Sequence, residues 1–552
     1  MSTFTSEMFK ITSTTGKSLT CGEPVSPIST PWTEINHHAA CVAGSLSNSG
    51  IEPGSHVAVL SDNPQDVAVL VQAVWMRAAS LTMLHQPIPR TDRRQWVVET
   101  LTTLRMIDAS VVIVSESYYD VVPELLKHEI IVFKISSLYG GPPVAPINTE
   151  EDATALLQLT SGSTGSAKAV VVSFSSLEHN CQAMLGKTAK VSRDVDVMVS
   201  WLPLSHDMGF LGWLVYPMRF GLETVCTTPN SFVRSPILWA ELISKYRGTI
   251  TAAPNFAYSL LARRLRLAPD NSLDLSTLRW GVNGAEPIDP ASLAKFLEAG
   301  KRFGLSEDAV VPAYGMAEAT LAVSFSSGKF KTDIVDANSL EVHRVAQAPA
   351  TSERETRTLV KLGNPIPGIE VQVVNESRDP LAARRVGELE LRGESITEAF
   401  VTCAGRLRAT SQDGWLPTGD LGYLTEEGEV VVCGRIKDII IVAGRNIMPT
   451  EIERAAGRVE GVRSGNAVAV GIPSLGGREA FAVVVESDLH DNPDCRLRIA
   501  RQVAEGVHAA VGVSPRFVDV VARGAIPKTP SGKHRRSIIA GDLANRAAIT
   551  ES

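Results

Sequence analysis

Between two short aliphatic runs the chain reads LLQLTSGSTGSAKAVVV, residues 156–172. This loop offers hydroxyls at Thr160, Ser161, Ser163 and Thr164, close backbone approach at Gly162 and Gly165, and a terminal cation at Lys168. Phosphate oxygens accept hydrogen bonds and attract a cation, so these groups together suit a polyphosphate. The spacing is not the GxxxxGK[ST] of the P-loop, and the residues that follow favour a strand rather than a helix. Taken alone, the same loop also fits the tip of a surface hairpin. Three other places could do chemistry. His206 and Asp207 stand together after an apolar run in SWLPLSHDMGFLG, and both side chains need partners if buried. Asn283, Gly284 and Ala285 end the strand-like STLRWGVNGAEP in a tight turn, and Tyr314 and Glu318 close another strand in VVPAYGMAEAT. In open α/β sheets, ligands gather outside the carboxyl ends of the strands. A phosphate loop, an amide-bearing turn and a Tyr/Glu pair at separate strand ends are therefore expected to converge.

These groups need a frame. Up to about residue 150 the sequence alternates strands and helices: GSHVAVLS, then PQDVAVLVQAVWMRAA at helical spacing, then DASVVIVS and HEIIVFKI. The flanks of the loop, 153–159 and 169–174, read as strands. Ser175 followed by Glu178 is a capping-box pattern opening the next helix. DMGFLGWLVYPMRFG could line an apolar tunnel or form a core helix, and TITAAPNFAYSLL is a strand that breaks at Pro254 into a helix. The segment 325–362 is polar, without core periodicity, and reads as an inserted, exposed stretch. WLPTGDLGYL places Asp420 in a Gly turn, and Thr450 with Glu453 forms a second capping box. The remainder has the pattern of a small α/β domain of roughly 110 residues, an ordinary domain size. It ends on IPKTPSGKHRR.

A chain of 552 residues is too long for one core and should divide into a large part and a smaller one. With 53 basic and 60 acidic side chains, its net charge of -7 leaves no footprint for a nucleic-acid partner. The seven cysteines are scattered and include no CxxC pair, which argues for reduced thiols and against a zinc site or disulfide framework. No secretory profile opens the chain, and no apolar run reaches the roughly 20 residues of a transmembrane segment. A cytoplasmic location is the expectation.

Seven motifs in fixed order, LTSGSTGSAK, WLPLSHDMG, NGAEP, YGMAEAT, TGDLGYL, GRIKDIIIVAG and PKTPSGK, resemble one superfamily. It is that of the adenylate-forming enzymes, which includes acyl-CoA synthetases, luciferases and nonribosomal adenylation domains. The resemblance covers most of the chain. It implies an α/β fold with a large N-terminal multi-sheet domain over 1–434, a hinge near 435–437 and a small mobile C-terminal α/β domain over 438–552. WLPLSHDMG, TAAPNFAY, the GRN of VAGRNIMPTEIE and the extra segment look like the fatty acyl-AMP ligases. Several phrases are most similar to the members that activate the lipid arm of mycobactin-type siderophores.

That resemblance implies a chemistry and a set of roles. A fatty acid and ATP, with Mg²⁺, would give acyl-adenylate and pyrophosphate. The acyl group would then pass to the phosphopantetheine arm of an acyl carrier protein, in siderophore or lipid biosynthesis. Thr160, Ser161, Gly162, Ser163, Thr164, Gly165 and Lys168 would hold the β- and γ-phosphates, and Glu318 would help hold Mg²⁺. Tyr314, with Gly315, Met316 and Ala317 after it, would meet the adenine, whose edge the Asn283, Gly284 and Ala285 backbone would read. Asp420 would accept from the ribose hydroxyls and Arg435 would bind ribose or phosphate. Lys533 would bridge the carboxylate and the α-phosphate, His206 would stand at the acyl pocket, and Lys437 matches the hinge position. The alternative is an acyl-CoA synthetase working through the same adenylate. A non-catalytic acyl-binding protein is a third reading, against which intact Lys533, Glu318 and Asp420 stand.

Overall fold

Short β-branched runs alternating with helices build, in the computed structural model, a mixed α/β chain that packs as two compact units. Residues 88–92, 161–167, 352–354, 443, 473–479, 529–533 and 551–552 fall outside the description, as do the side chains of 544–550. The larger unit comprises Met1–Lys331, Leu362–Glu370 and Leu391–Leu416; the smaller comprises Thr332–Lys361, Val371–Glu390 and Pro417–Ser552.

The larger unit holds two sheets, of nine and eight strands. In the first, Val310–Gly315, Trp280–Asn283, Ile250–Ala253, Val197–Ser200, Glu223–Cys226 and Ser18–Cys21 lie side by side and parallel. In the second, Thr154–Thr160, Ser80–Met83, His56–Leu60, Val111–Val114 and Val132–Lys134 are parallel. Lys168–Ser173 returns antiparallel beside Thr154–Thr160, and Ala399–Thr402 extends that edge. Parallel strands buried on both faces carry near-continuous apolar runs, and VVIV at 111–114 is buried throughout. Helix Pro64–Met76 joins two strands of the eight-stranded sheet yet also packs against Ser18–Cys21 of the nine-stranded one. Almost all of its side chains are buried, as expected of a helix enclosed on every side. Its Trp75 Nε1 donates to Ala155 O at 2.9 Å.

The helix after the loop hairpin begins earlier than expected. Phe174–Cys181 is capped by Ser173, whose side chain accepts from Ser176 N, rather than by Ser175. Glu178 is drawn away from any capping role by Arg219, which donates to it from Nη2 at 2.8 Å and Nε at 3.1 Å. The apolar stretch 208–215 is a fully buried π-helix that runs into Tyr216–Phe220.

A four-stranded sheet, most of whose residues belong to the smaller unit, runs in the order Ile369–Val374, Gly387–Gly393, Leu416–Leu424, Val430–Arg435. Asp420 therefore sits inside a strand, opposite Arg435, and not in a turn. The segment expected to be exposed is folded. Thr332–Asp336 pairs antiparallel with Thr356–Val360, and Ala337–Glu341 forms a short helix capped by Asp336. Val335, Leu340 and Ala346 are buried with Val386, Leu421, Tyr423, Val431 and Cys433. The polarity that suggested exposure belongs to ion pairs inside the unit. Glu341, only 4 % exposed, accepts at one carboxylate oxygen from Arg357 Nε (2.9 Å) and at the other from Arg445 Nε and Nη2 (3.0 and 2.6 Å). Asn446 donates to the Glu341 carbonyl at 3.0 Å, and Arg357 Nη1 to Ala510 O at 3.2 Å.

The last part of this unit is a three-stranded sheet, Ala467–Ile472 antiparallel to Ala480–Glu486, which is parallel to Phe517–Val521. Helix Pro493–Val511 buries Ile499, Val503, Val507 and Val511, a stripe at i, i+4 spacing, and stops at Gly512 with φ of +70°. Helix Pro449–Ala456 lacks the expected side-chain cap. Glu453 is engaged elsewhere, accepting from Ala469 N at 3.0 Å and from Arg536 Nη2 at 2.7 Å on both oxygens. Arg536 also reaches Asp438 at 3.5 Å. Beside it, burial together with Lys528 and Arg536 pushes the His534 imidazole down to about 3.

Two outcomes follow from this packing. Glu341→Ala leaves two guanidinium groups without their shared carboxylate, and should cost about 3–5 kcal/mol, the scale for breaking a buried pair from one side. A lower urea midpoint than wild type checks it. His534 stays neutral in the fold while the unfolded side chain titrates near 6.5, so its contribution is complete above that pH and is lost as pH falls from 6.5 toward 3. Wild type should therefore lose up to about 2 kcal/mol more than His534→Gln between pH 6.5 and pH 5, read from paired denaturation curves.

Candidate active site

The parallel strands of the larger unit leave a row of carboxyl ends, where Thr160, Asn283 and the Tyr314–Gly315 pair close three strands. Thr160 ends its strand and pairs with Lys168, the first residue of the returning strand. The Thr160 hydroxyl is buried and has no hydrogen-bond partner among the described residues. Ser161, Gly162, Ser163, Thr164 and Gly165 lie outside the described residues. Lys168 Nζ meets Glu318 Oε1 at 2.8 Å and lies 4.0 Å from the centre of the Phe400 ring. This pair links the eight-stranded sheet to the loop that leaves the nine-stranded one.

Glu318 lies on a single 3₁₀ turn, Ala317–Ala319, after Tyr314, Gly315 and Met316. Gly315 has no room for a side chain, since a Cβ there would stand 2.3 Å from Leu321 O. Thr320 adopts φ of +67°, a conformation that costs a branched residue energy, and its hydroxyl donates to Ser395 O at 2.8 Å. Asn180, fully buried, fastens the same loop. Its Nδ2 donates to Ala319 O (3.1 Å) and Ala322 O (3.0 Å), and its Oδ1 accepts from Ala322 N (3.2 Å). Thr397 N donates to Glu318 O at 2.8 Å. Tyr314 is buried, with its hydroxyl 3.7 Å from Met316 Sδ.

Asn283 ends the neighbouring strand, and Ala285 in the turn after Gly284 has φ of +68°. The Asn283 side chain is completely buried, and neither its Nδ2 nor its Oδ1 has a partner among the described residues. His206 precedes the buried π-helix; its Nδ1 lies 2.6 Å from Asp207 Oδ1, and Asp207 accepts from Met208 N at 2.7 Å. Gln158 Nε2, on the loop-bearing strand, reaches Ser205 O at 3.5 Å. Nearby, Trp201 stacks on Phe232 with ring centroids 3.8 Å apart, and Phe256 sits edge-on to both.

The smaller unit carries the other expected residues. Arg435 Nε pairs with Asp420 Oδ1 at 2.9 Å across adjacent strands, with Asp420 4 % exposed. The next turn, Ile436–Asp438, contains Lys437. Burial holds the Lys437 ammonium below its usual range; Arg435 and Arg536 act in the same direction, against Asp438 and Asp420. Lys533 lies outside the described residues.

Sequence reasoning missed Asn180, Thr397, Phe400 and Arg536. Asn180 reaches Ala319 from far along the sequence, Thr397 reaches the Glu318 carbonyl, and Phe400 comes from a strand added to the far edge of the hairpin; no local pattern marks them. Arg536 stood in view within IPKTPSGKHRR, but as one of several charges its pairing with Glu453 could not be read.

The sequence profile of the AMP-binding enzyme family matches residues 25–401. Rv1013 of Mycobacterium tuberculosis, designated a ligase, is 51% identical over 540 residues, spanning 97% of this chain and 99% of its own length. The medium-chain-fatty-acid–[acyl-carrier-protein] ligase JamA of Moorena producens is 34% identical over 405 residues, spanning 70% of this chain and 67% of its own. A solved fatty acyl-adenylate ligase, from a study of the E. coli and L. pneumophila enzymes, superposes with a TM-score of 0.90 at 28% identity. It covers 99% of this chain and 98% of its own. With the family profile matched over 25–401 and the fold shared over nearly the whole length, the chain belongs to the AMP-binding enzyme family, the adenylate-forming ligases.

Proposed function

We propose that this ligase activates a fatty acid with ATP and passes the acyl group to the phosphopantetheine thiol of an acyl carrier protein, in lipid or siderophore biosynthesis. The observation that carries the reading is the Lys168–Glu318 pair at the base of a hydroxyl- and glycine-rich loop, beside strand ends bearing Asn283 and Tyr314. The aromatic group of Trp201, Phe232 and Phe256 and the wholly buried helix Met208–Val215 supply apolar surface for an acyl chain. The names of JamA and of the solved ligases point to the same substrate class.

In the first step a fatty carboxylate oxygen bonds to the α-phosphorus of ATP and the bond from that phosphorus to the bridging oxygen breaks, releasing pyrophosphate. Two anions must meet, so the protein's task is positioning and stabilisation of charge on phosphate oxygens. The loop from Thr160 to Lys168 would cradle the β- and γ-phosphates, Tyr314 would stack on adenine, and the Asn283–Ala285 backbone would read its edge. Asp420 is acceptor-rich and suits the two ribose hydroxyls, with Arg435 beside it. His206, held by Asp207, would border the reacting carboxylate. Lys533 would contribute a cation between carboxylate and α-phosphate. In the second step the thiol sulfur bonds to the acyl carbon, its proton goes to solvent, and AMP leaves.

Among the described residues no group of three or more His, Cys, Asp or Glu side chains could hold a metal alone. Mg²⁺ needs no such group, since it takes one or two carboxylates and completes its shell with phosphate oxygens and water. Glu318, paired with Lys168 at the end of that loop, would be such a carboxylate once the Lys168 ammonium turns to a phosphate oxygen. When bound, the ion would neutralise charge on the nucleotide phosphates.

Lys533→Ala should slow acyl-adenylate formation by about 10² to 10³ while ATP binding changes far less, the effect of losing one positioned charge-stabilising donor. Pyrophosphate release and nucleotide titration measure the two quantities. The acceptor is decided by mass spectrometry of products formed with ATP, a set of fatty acids, and either coenzyme A or a phosphopantetheinylated carrier protein. Acyl-adenylate and acyl-carrier should accumulate with little acyl-CoA. Acyl-CoA made as fast as acyl-adenylate would replace this reading with an acyl-CoA synthetase.

A further inference from the structure

Asn283 is the least explained side chain of the larger unit. It is completely buried, and both ends of its amide lack hydrogen-bond partners. A buried polar atom left unpaired costs about 1–3 kcal/mol, and native structures tolerate few of them. The position is not loose. The strand is central, in register with Ala253 on one side and Pro312 on the other.

Its surroundings indicate what completes it. Side chains alternate across a strand, so Asn283 shares a face with Gly281, and in-register residues of parallel neighbours share it too. Gly281 lies beneath the Tyr258 hydroxyl, which a Cβ there would approach to 3.3 Å. Thr251, level with Gly281, accepts from Trp239 Nε1 at 2.8 Å. This is the face of the aromatic side chains. Along the edge of carboxyl ends, the strand of Tyr314 is on one side of Asn283. On the other, beyond Ile250–Ala253, the strand Val197–Ser200 leads into Trp201 and its stack with Phe232. The amide therefore stands between the residue assigned to adenine and the aromatic group assigned to the acyl chain. A fatty carboxylate must reach the nucleotide at that junction.

We infer that the Asn283 side chain bridges the two substrates, its Nδ2 donating to the fatty carboxylate and its Oδ1 accepting from the adenine amino group. This rests on the proposed function and goes beyond the backbone contact assigned there. The amide loses its two unmet bonds only when both substrates are bound, so their binding is favoured together. It has no acidic or basic role.

The test compares two substitutions in steady-state adenylation, varying ATP and fatty acid separately. Asn283→Asp keeps an acceptor but sets a second carboxylate against the substrate's. It should lower kcat/KM for the fatty acid at least about a hundredfold, while KM for ATP stays within about threefold. Asn283→Ala removes both bonds and should cost about tenfold in each substrate, the scale of a hydrogen bond to a charged group. Its ligand-free melting temperature should be no lower than that of wild type, because an unpaired amide is deleted. Unchanged fatty-acid kinetics in either variant, equal loss of both substrates in Asn283→Asp, or a melting temperature that falls with activity in Asn283→Ala would overturn the assignment. A wild type that forms no acyl-adenylate in the same assay would overturn the proposed function itself, and this inference with it.

Discussion

The larger unit carries an ion pair that joins its two sheets, alongside helix Pro64–Met76 packed between them. Its two sheets each have a complete hydrogen-bonding pattern of their own, and nothing in the pairing of either fixes the edge of one against the edge of the other. Lys168 and Glu318 make that connection at 2.8 Å, with the Lys168 side chain 28% and the Glu318 side chain 14% exposed. Withdrawing two charges from water is costly, and the pair holds only because each partner has further support. The ammonium lies against the Phe400 ring, and the turn bearing Glu318 is tied by Thr397 and Asn180. Thr160 is the strand partner of Lys168, and Tyr314 stands in the same turn-bearing stretch as Glu318.

Energy is stored around it. Ala285 and Thr320 both adopt left-handed backbone conformations that glycine would occupy more easily, and both lie within a few residues of a strand end. Thr160 Oγ1 and the Asn283 amide are buried without partners. Other buried polar groups of the same unit are paired over long distances, as Trp32 Nε1 is with Leu222 O at 2.9 Å, and a few, Ser115 Oγ and Trp213 Nε1 among them, are without a partner among the described residues. At a strand end, a strained residue or an unmet hydrogen bond suits a site whose ligands form part of the final hydrogen-bond count.

Much of this was legible in the sequence because the signals are local. The strands at 56–60, 111–114 and 280–283 are apolar runs, and the strand-to-helix break at Pro254 lies where the proline dictates. Residues at strand ends could be named because parallel pairing leaves no other place for polar groups to gather. What was illegible depends on partners far away in sequence. Ser173 rather than Ser175 caps its helix, and Glu178 is engaged by Arg219, 41 residues on. Asp420 is in a strand because Val430–Arg435 pairs with it, which the neighbouring glycines concealed. The stretch 325–362 was read as exposed from its charges, yet Glu341 and Arg357 are buried by each other. Composition cannot distinguish a charge facing water from a charge facing its opposite.

That last pair has a consequence for building hybrids of this chain with its relatives. Glu341 gives one carboxylate oxygen to Arg357, within its own segment, and the other to Arg445, which lies 104 residues on. Arg357 in turn holds the carbonyl of Ala510 at the end of a long helix. A graft of 332–361 alone would bring in one half of an ion-pair network and leave the other half facing a stranger. The segment, the hairpin at 440–447 and the end of helix Pro493–Val511 behave as a single heritable block, to be exchanged together or not at all.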